Sequence, residues 1–100
     1  MNDHHRKLLT VITEATLEAK LCELFEQLGA HGYTITDARG KGSHGVRNAG
    51  WTASANIRIE IVCGESCARR IADSLRERYS DDYAMILYLS EVEVLRPDKF

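Results

Sequence analysis

From Ala55 to Cys63 the chain reads Ala-Asn-Ile-Arg-Ile-Glu-Ile-Val-Cys. Ile57, Ile59, Ile61 and Cys63 fall on one side of an extended backbone, and Asn56, Arg58 and Glu60 on the other. A strand with unlike faces belongs to a sheet covered on one side only. That is the habit of antiparallel sheets.

The rest of the chain supplies the cover. Lys7 to Ile12 is a short apolar strand carrying Leu8, Leu9, Val11 and Ile12. Thr13 then has the chemistry of a helix N-cap, with Glu14 favourable in the first turn. Leu17, Leu21, Leu24, Phe25 and Leu28 recur at helical spacing, and Gly29 ends that helix. Tyr33 to Arg39 is a second strand, and residues 40 to 54 form a glycine-rich loop too long for a hairpin turn. After the alternating strand, Gly64 to Tyr79 predicts a second helix with Ala68, Ile71, Ala72, Leu75 and Tyr79 on one side. A turn at 80–83 leads to a last strand, Ala84 to Leu95, whose first half is apolar on both faces, as a central strand would be.

This order predicts an α+β chain: a ferredoxin-like βαββαβ sandwich, with both helices on one face of an antiparallel sheet. Met85, Leu87 and Leu89 share a face. Should it be the one away from the helices, they form an apolar patch that argues for an oligomer.

One hundred residues predict a single domain over residues 1–100. A net charge of −2 excludes a general grip on nucleic acid, so any anion site must be local. No apolar run approaches the roughly 20 residues needed to span a bilayer. The N-terminal segment has no apolar signal core, and His4 and His5 fall in what reads as a frayed terminus. Three cysteines make no paired framework and point to a reducing cytoplasm. Cys22 and Cys63 read as small core residues.

The chemistry concentrates between Gly32 and Gly50, where Gly40, Gly42, Gly45 and Gly50 interleave with Lys41, His44 and Arg47. Successive backbone N–H groups in such a loop can nest an anion, and the cations add charge. Gly40-Lys41-Gly42-Ser43 is not a P-loop, because Gly42 rather than Ser or Thr follows the lysine. The segment is either an anion cradle or a solvated loop. Arg47 can pair with phosphate or carboxylate, or stand as a surface charge. Glu60 can accept a hydrogen bond from a ligand or pair with Arg58. Glu91 and Glu93 lie at a strand end without a partner nucleophile. No Ser, Cys or His stands in a nucleophile motif, so no catalytic residue is assigned. The histidines and cysteines are scattered, so no metal site is assigned either.

The stretch Gly32 to Gly50, with Ala-Asn-Ile-Arg-Ile-Glu-Ile-Val, Ala-Arg-Arg-Ile-Ala-Asp-Ser-Leu-Arg-Glu-Arg-Tyr and Asp-Tyr-Ala-Met-Ile-Leu-Tyr-Leu, resembles the PII-like signalling proteins. It is most similar to their carboxysome-associated and bicarbonate-transporter-associated branch, from about Lys7 to Leu95. The resemblance implies a non-catalytic cytoplasmic homotrimer, in part associated with carboxysomes. It would bind adenine nucleotide in clefts between subunits, with bicarbonate as a second ligand. The loop after the second strand, the T-loop of that family, would order with ligand and contact a transporter-related or carboxysome-related partner. Carried over, Gly40, Lys41, Gly42, Ser43 and Arg47 face phosphate, Gly32 and Thr34 line the cleft, and Glu60 stands near the adenosine. Lys41, Gly42 and Arg47 would also hold bicarbonate.

Departures from the pattern bear on the ligand. Related sequences carry Arg where this chain has His44, and Ser80-Asp81-Asp82-Tyr83 replaces a glycine-rich phosphate loop. Both imply AMP or ADP over ATP. Two rival readings are a small phosphatase or acylphosphatase-type hydrolase on the same fold, and a metal-responsive PII-like protein.

Overall fold

The computed structural model describes residues 4–40 and 55–99. Four strands, β1 (His5–Glu14), β2 (Thr34–Ala38), β3 (Asn56–Cys63) and β4 (Ile86–Glu93), form one sheet in the order β2-β3-β1-β4. All three pairings are antiparallel. Helix α1 (Glu18–Gln27) follows β1, and α2 (Glu65–Arg78) follows β3. This is the expected ferredoxin-like sandwich.

The alternation in β3 sets the layers. Ile57, Ile59 and Ile61 are at most 2% exposed, and they stand opposite Thr13, Val11 and Leu9 of β1. Leu17, Leu21, Leu24 and Phe25 join them from the first helical segment, and Ala68, Ile71 and Leu75 from α2, in one apolar core. Arg58 and Glu60 lie on the face the helices leave open, with Thr34 and Thr36 beside them.

Gly29 ends α1 as expected. Its φ of +92° is the only positive value among the described residues. Gly29 N–H donates to Glu26 O at 3.2 Å and Ala30 N–H to Phe25 O at 3.0 Å, a Schellman closure with Ala30 buried beneath it.

The structure corrects four expectations. Thr13 is not an N-cap: β1 runs on to Glu14, and a 3-10 turn (Ala15–Leu17) leads into α1. Thr13 is 1% exposed, and its hydroxyl donates to Ala84 O at 3.0 Å. Tertiary burial has taken a residue that local chemistry offered to the helix. The amino end is not frayed at His4 and His5 either. His5 pairs with Glu93, and Val94 N–H donates to His4 O at 2.8 Å.

The last strand is an edge strand, not a central one, and β1 is central instead. Its doubly apolar first half has another cause. Met85, Leu87 and Leu89 pack against the core beneath α2. On the opposite side Ile86 and Tyr88 stay 50% and 44% exposed. Any apolar patch on the open face therefore includes Ile86 and Tyr88, with Ile12 of β1 beside Ile86. Finally, Cys63 is in the core but Cys22 is only half-buried.

Candidate functional site on the open sheet face

Four side-chain positions form one row across the open face. Thr34 of β2 stands opposite Glu60 of β3, Glu60 opposite Thr10 of β1, and Thr10 opposite Tyr88 of β4. The next row holds Thr36, Arg58, Ile12 and Ile86. Arg58 Nη2 and Nε donate to Glu60 Oε2 at 3.1 and 3.2 Å, with both side chains 41% exposed. The expected Arg58–Glu60 pair thus forms, and it places a cation and an anion within one strand repeat.

Sequence reasoning does not single out Thr10 as a site residue. It is fully buried, yet its hydroxyl is the one buried side-chain polar atom among the described residues with no hydrogen-bond partner. Such a group costs free energy until something pairs with it. The sequence signal is a lone threonine in Leu8-Leu9-Thr10-Val11-Ile12.

Of the predicted residues, Thr34 and Glu60 are brought together by register. Gly32 lies exposed in the connection before β2, and Gly40 is exposed beyond its end. A Cβ at either glycine would meet nothing within 4 Å, so the subunit itself does not require glycine there. Lys41, Gly42, Ser43, His44 and Arg47 lie outside the described residues. Ala38 pairs with Asn56, so the intervening segment leaves and re-enters the sheet at one corner, on the far side of the Thr36–Arg58 row from Thr34 and Glu60.

Around the start of β2 the Tyr33 hydroxyl donates to Glu26 Oε2 at 3.4 Å, and its ring meets Phe25 edge-on at 5.5 Å. A hydrogen bond with the Cys22 thiol, with burial and the Glu26 carboxylate adding to it, pushes the Tyr33 phenol up to about 12. Lys7 and Glu91, opposite each other on β1 and β4, pair at 3.2 Å, so Glu91 is an ion-pair partner within the subunit.

Two grooves lie elsewhere, on the helix side. One of about 240 Å³ runs between α2 and β4 over Leu9, Leu87 and Leu89; the other, about 440 Å³, is lined by Asp73, Arg76, Glu77, Ser80 and Asp81. Neither touches Gly32, Thr34, Gly40 or Glu60. Among the described residues no group of three or more His, Cys, Asp or Glu could hold a metal ion, and no helix is long and apolar enough to cross a membrane.

The profile described as nitrogen regulatory protein P-II matches residues 6–99. The chain therefore belongs to the P-II family. Its fold superposes on a PII-like signaling protein from Thermus thermophilus with a TM-score of 0.82, at 44% identity, covering 100% of this chain and 99% of that one. It is also similar to CPII, a PII-like protein from Thiomonas intermedia. The structure of CPII bound to ADP and bicarbonate matches at 26% identity and a TM-score of 0.82, covering 96% of this chain and 94% of that one. A second CPII structure, bound to ADP, AMP and bicarbonate, matches at 25% identity and a TM-score of 0.81, over 96% and 93% of the two chains.

Proposed function

We propose that this chain is a non-catalytic regulator that binds adenine nucleotide, AMP or ADP ahead of ATP, and bicarbonate, in clefts between the subunits of a homotrimer. The observation that carries this reading is the Thr34–Glu60 pair on the open face of the sheet, in a chain similar to CPII, which is seen bound to ADP and bicarbonate. Glu60 accepts hydrogen bonds from the nucleoside. Gly32 and Gly40 leave room for close approach, which explains glycine where the subunit has no need of it. Gly40, Lys41, Gly42, Ser43 and Arg47 face the phosphates, and Lys41, Gly42 and Arg47 also hold bicarbonate. The half-exposed Ile86 and Tyr88 belong to the contact between subunits, because apolar side chains of that size are costly to leave in water.

Ligand binding orders the segment around Lys41 to Arg47, and the ordered segment meets a protein partner in inorganic-carbon metabolism, in the cytoplasm and at carboxysomes. Each residue ordered costs on the order of 1–2 kcal/mol of backbone entropy. Only a ligand that binds the ordered state better can shift that balance.

Calorimetric titration of AMP, ADP and ATP, with and without bicarbonate at fixed pH and ionic strength, tests this reading. Nucleotide affinity should rise with bicarbonate for AMP or ADP, and reciprocity then requires nucleotide to tighten bicarbonate. A flat response would remove bicarbonate from the site. Sedimentation showing a stable monomer at micromolar concentration would remove the cleft itself. Turnover of nucleotide or acyl phosphate, abolished by Arg47→Ala, would favour a hydrolase instead.

A further inference from the structure

Cys63 closes β3, and Cys67 stands in the first turn of α2, with Gly64 as the N-cap between them. Because α2 folds back over the sheet, both cysteines belong to the core layer: Cys63 is 4% exposed and Cys67 packs against the same cluster while remaining half-buried. The two thiols are free, four residues apart on either side of the β3–α2 junction. Cys67 Sγ also donates to Leu28 O at 3.6 Å, a carbonyl that Arg70 Nη2 reaches at 3.2 Å. The pair lies in the helix layer, away from the open face assigned above to ligand and neighbour.

We propose that Cys63 and Cys67 form a reversible oxidation site, closed to an intrachain disulfide by hydrogen peroxide. Cys67 is the thiol that meets the oxidant. It is the more accessible of the two, and it attacks as the thiolate, the nucleophilic form of cysteine. The Cys67 thiolate attacks one peroxide oxygen. The O–O bond breaks, an S–O bond forms, and the departing hydroxide takes a proton to become water. Cys67 is then a sulfenic acid. Cys63 gives up its proton and attacks the Cys67 sulfur. The S–O bond breaks and a second water leaves. Two thiols and one peroxide thus give one disulfide and two waters; sulfur is oxidised and the peroxide oxygens are reduced.

The surroundings divide the roles. Burial, with the charge of Cys67 adding to it, pushes the Cys63 thiol up to about 12. Cys63 therefore stays a thiol until the sulfenic acid forms. Its adjacency then compensates for a thiol that is hard to ionise. Closure draws the two sulfurs to about 2.05 Å and withdraws the Cys67 hydrogen from Leu28 O, the carbonyl at the end of α1. Transient disulfides of this kind are the form that oxidation takes in a reducing compartment.

Trypsin separates this site from the third cysteine, because cleavage after Arg58 and Arg69 leaves Cys63 and Cys67 together, without Cys22, in residues 59–69. The folded protein carrying Cys22→Ser is treated with hydrogen peroxide, unfolded, alkylated and digested. Peptide 59–69 should lose the mass of two hydrogens and resist alkylation until dithiothreitol is added. In Cys63→Ala the disulfide should vanish and dimedone should label Cys67. In Cys67→Ala oxidation of Cys63 should be about tenfold slower or more, as expected of a buried thiol. Full alkylation of both cysteines after peroxide, equal reactivity of Cys63 and Cys67, or a disulfide that links separate chains would each overturn the proposal. The measurement on the chain that keeps both cysteines decides the matter even if Cys63→Ala fails to fold. None of these outcomes depends on the nucleotide reading.

Discussion

Arg58 and Glu60, two residues apart on β3, form an ion pair on the open side of the sheet, with Arg58 Nη2 3.1 Å from Glu60 Oε2. Their side chains share a face because strand residues alternate, and that face is the one carrying Thr34 and Thr10. The pair is about two-fifths exposed, so its direct contribution to stability is small, about 0–1 kcal/mol. Its consequence is for binding.

Glu60→Gln should therefore leave the unfolding midpoint almost unchanged and weaken adenosine and ADP alike. A hydrogen bond to a charged group contributes about 1.5–3 kcal/mol. Calorimetry with both ligands checks this. Unchanged affinity for adenosine would detach Glu60 from the nucleoside.

Arg47→Ala should weaken ADP much more than adenosine, by a charge-assisted bond of about 1.5–3 kcal/mol. Adenosine has no phosphate to lose. Equal losses for the two ligands would place Arg47 elsewhere.

Gly29→Ala should destabilise the fold by about 1–2 kcal/mol. A Cβ there has open space, so no clash is involved. The cost comes from holding φ at +92° with an L side chain. Urea denaturation should show a lower midpoint with an unchanged slope.

Thr13→Val keeps the shape of the side chain and deletes its hydroxyl. Ala84 O then loses its donor at 3.0 Å, in a partly buried place. The expected loss is about 1–3 kcal/mol. Equilibrium denaturation against Thr13→Ser, which retains the donor, separates this effect from packing.

Cys63 supplies a pH dependence. Its thiol is raised from 9.0 to about 12 by burial. A neutral group favoured in the folded state contributes fully below its unfolded value and is lost as pH rises through the folded one. Stability should fall across about pH 9 to 12, because the unfolded chain releases this proton first. Cys63→Ala should flatten that decline, as read by denaturation midpoints at successive pH values under reducing conditions.

Much of this protein is legible in its order of residues. Isoleucine at every second position from Ile57 to Ile61 determined a one-sided strand, and that strand had to be covered. Leu21, Leu24 and Phe25, with Ile71 and Leu75, determined the helices that cover it. Gly29 marked the end of α1 because only glycine takes its φ without cost. Lys41, Gly42, Ser43 and Arg47, anion-facing by the family resemblance, lie outside the described residues.

Tertiary structure alone decided which strand is central and which face Leu87 and Leu89 take. An apolar run looks the same in a central strand as in an edge strand sheltered by a helix. Strand order depends on pairing between distant residues, which local spacing does not encode. The same holds for Thr13, which changed from a helix cap to a buried donor once Ala84 arrived across 71 residues of chain. Thr10 reads as one more β-former until Glu60 and Tyr88 flank it and bury its hydroxyl. A polar group's value depends on its partners, and folding brings those from anywhere in the chain.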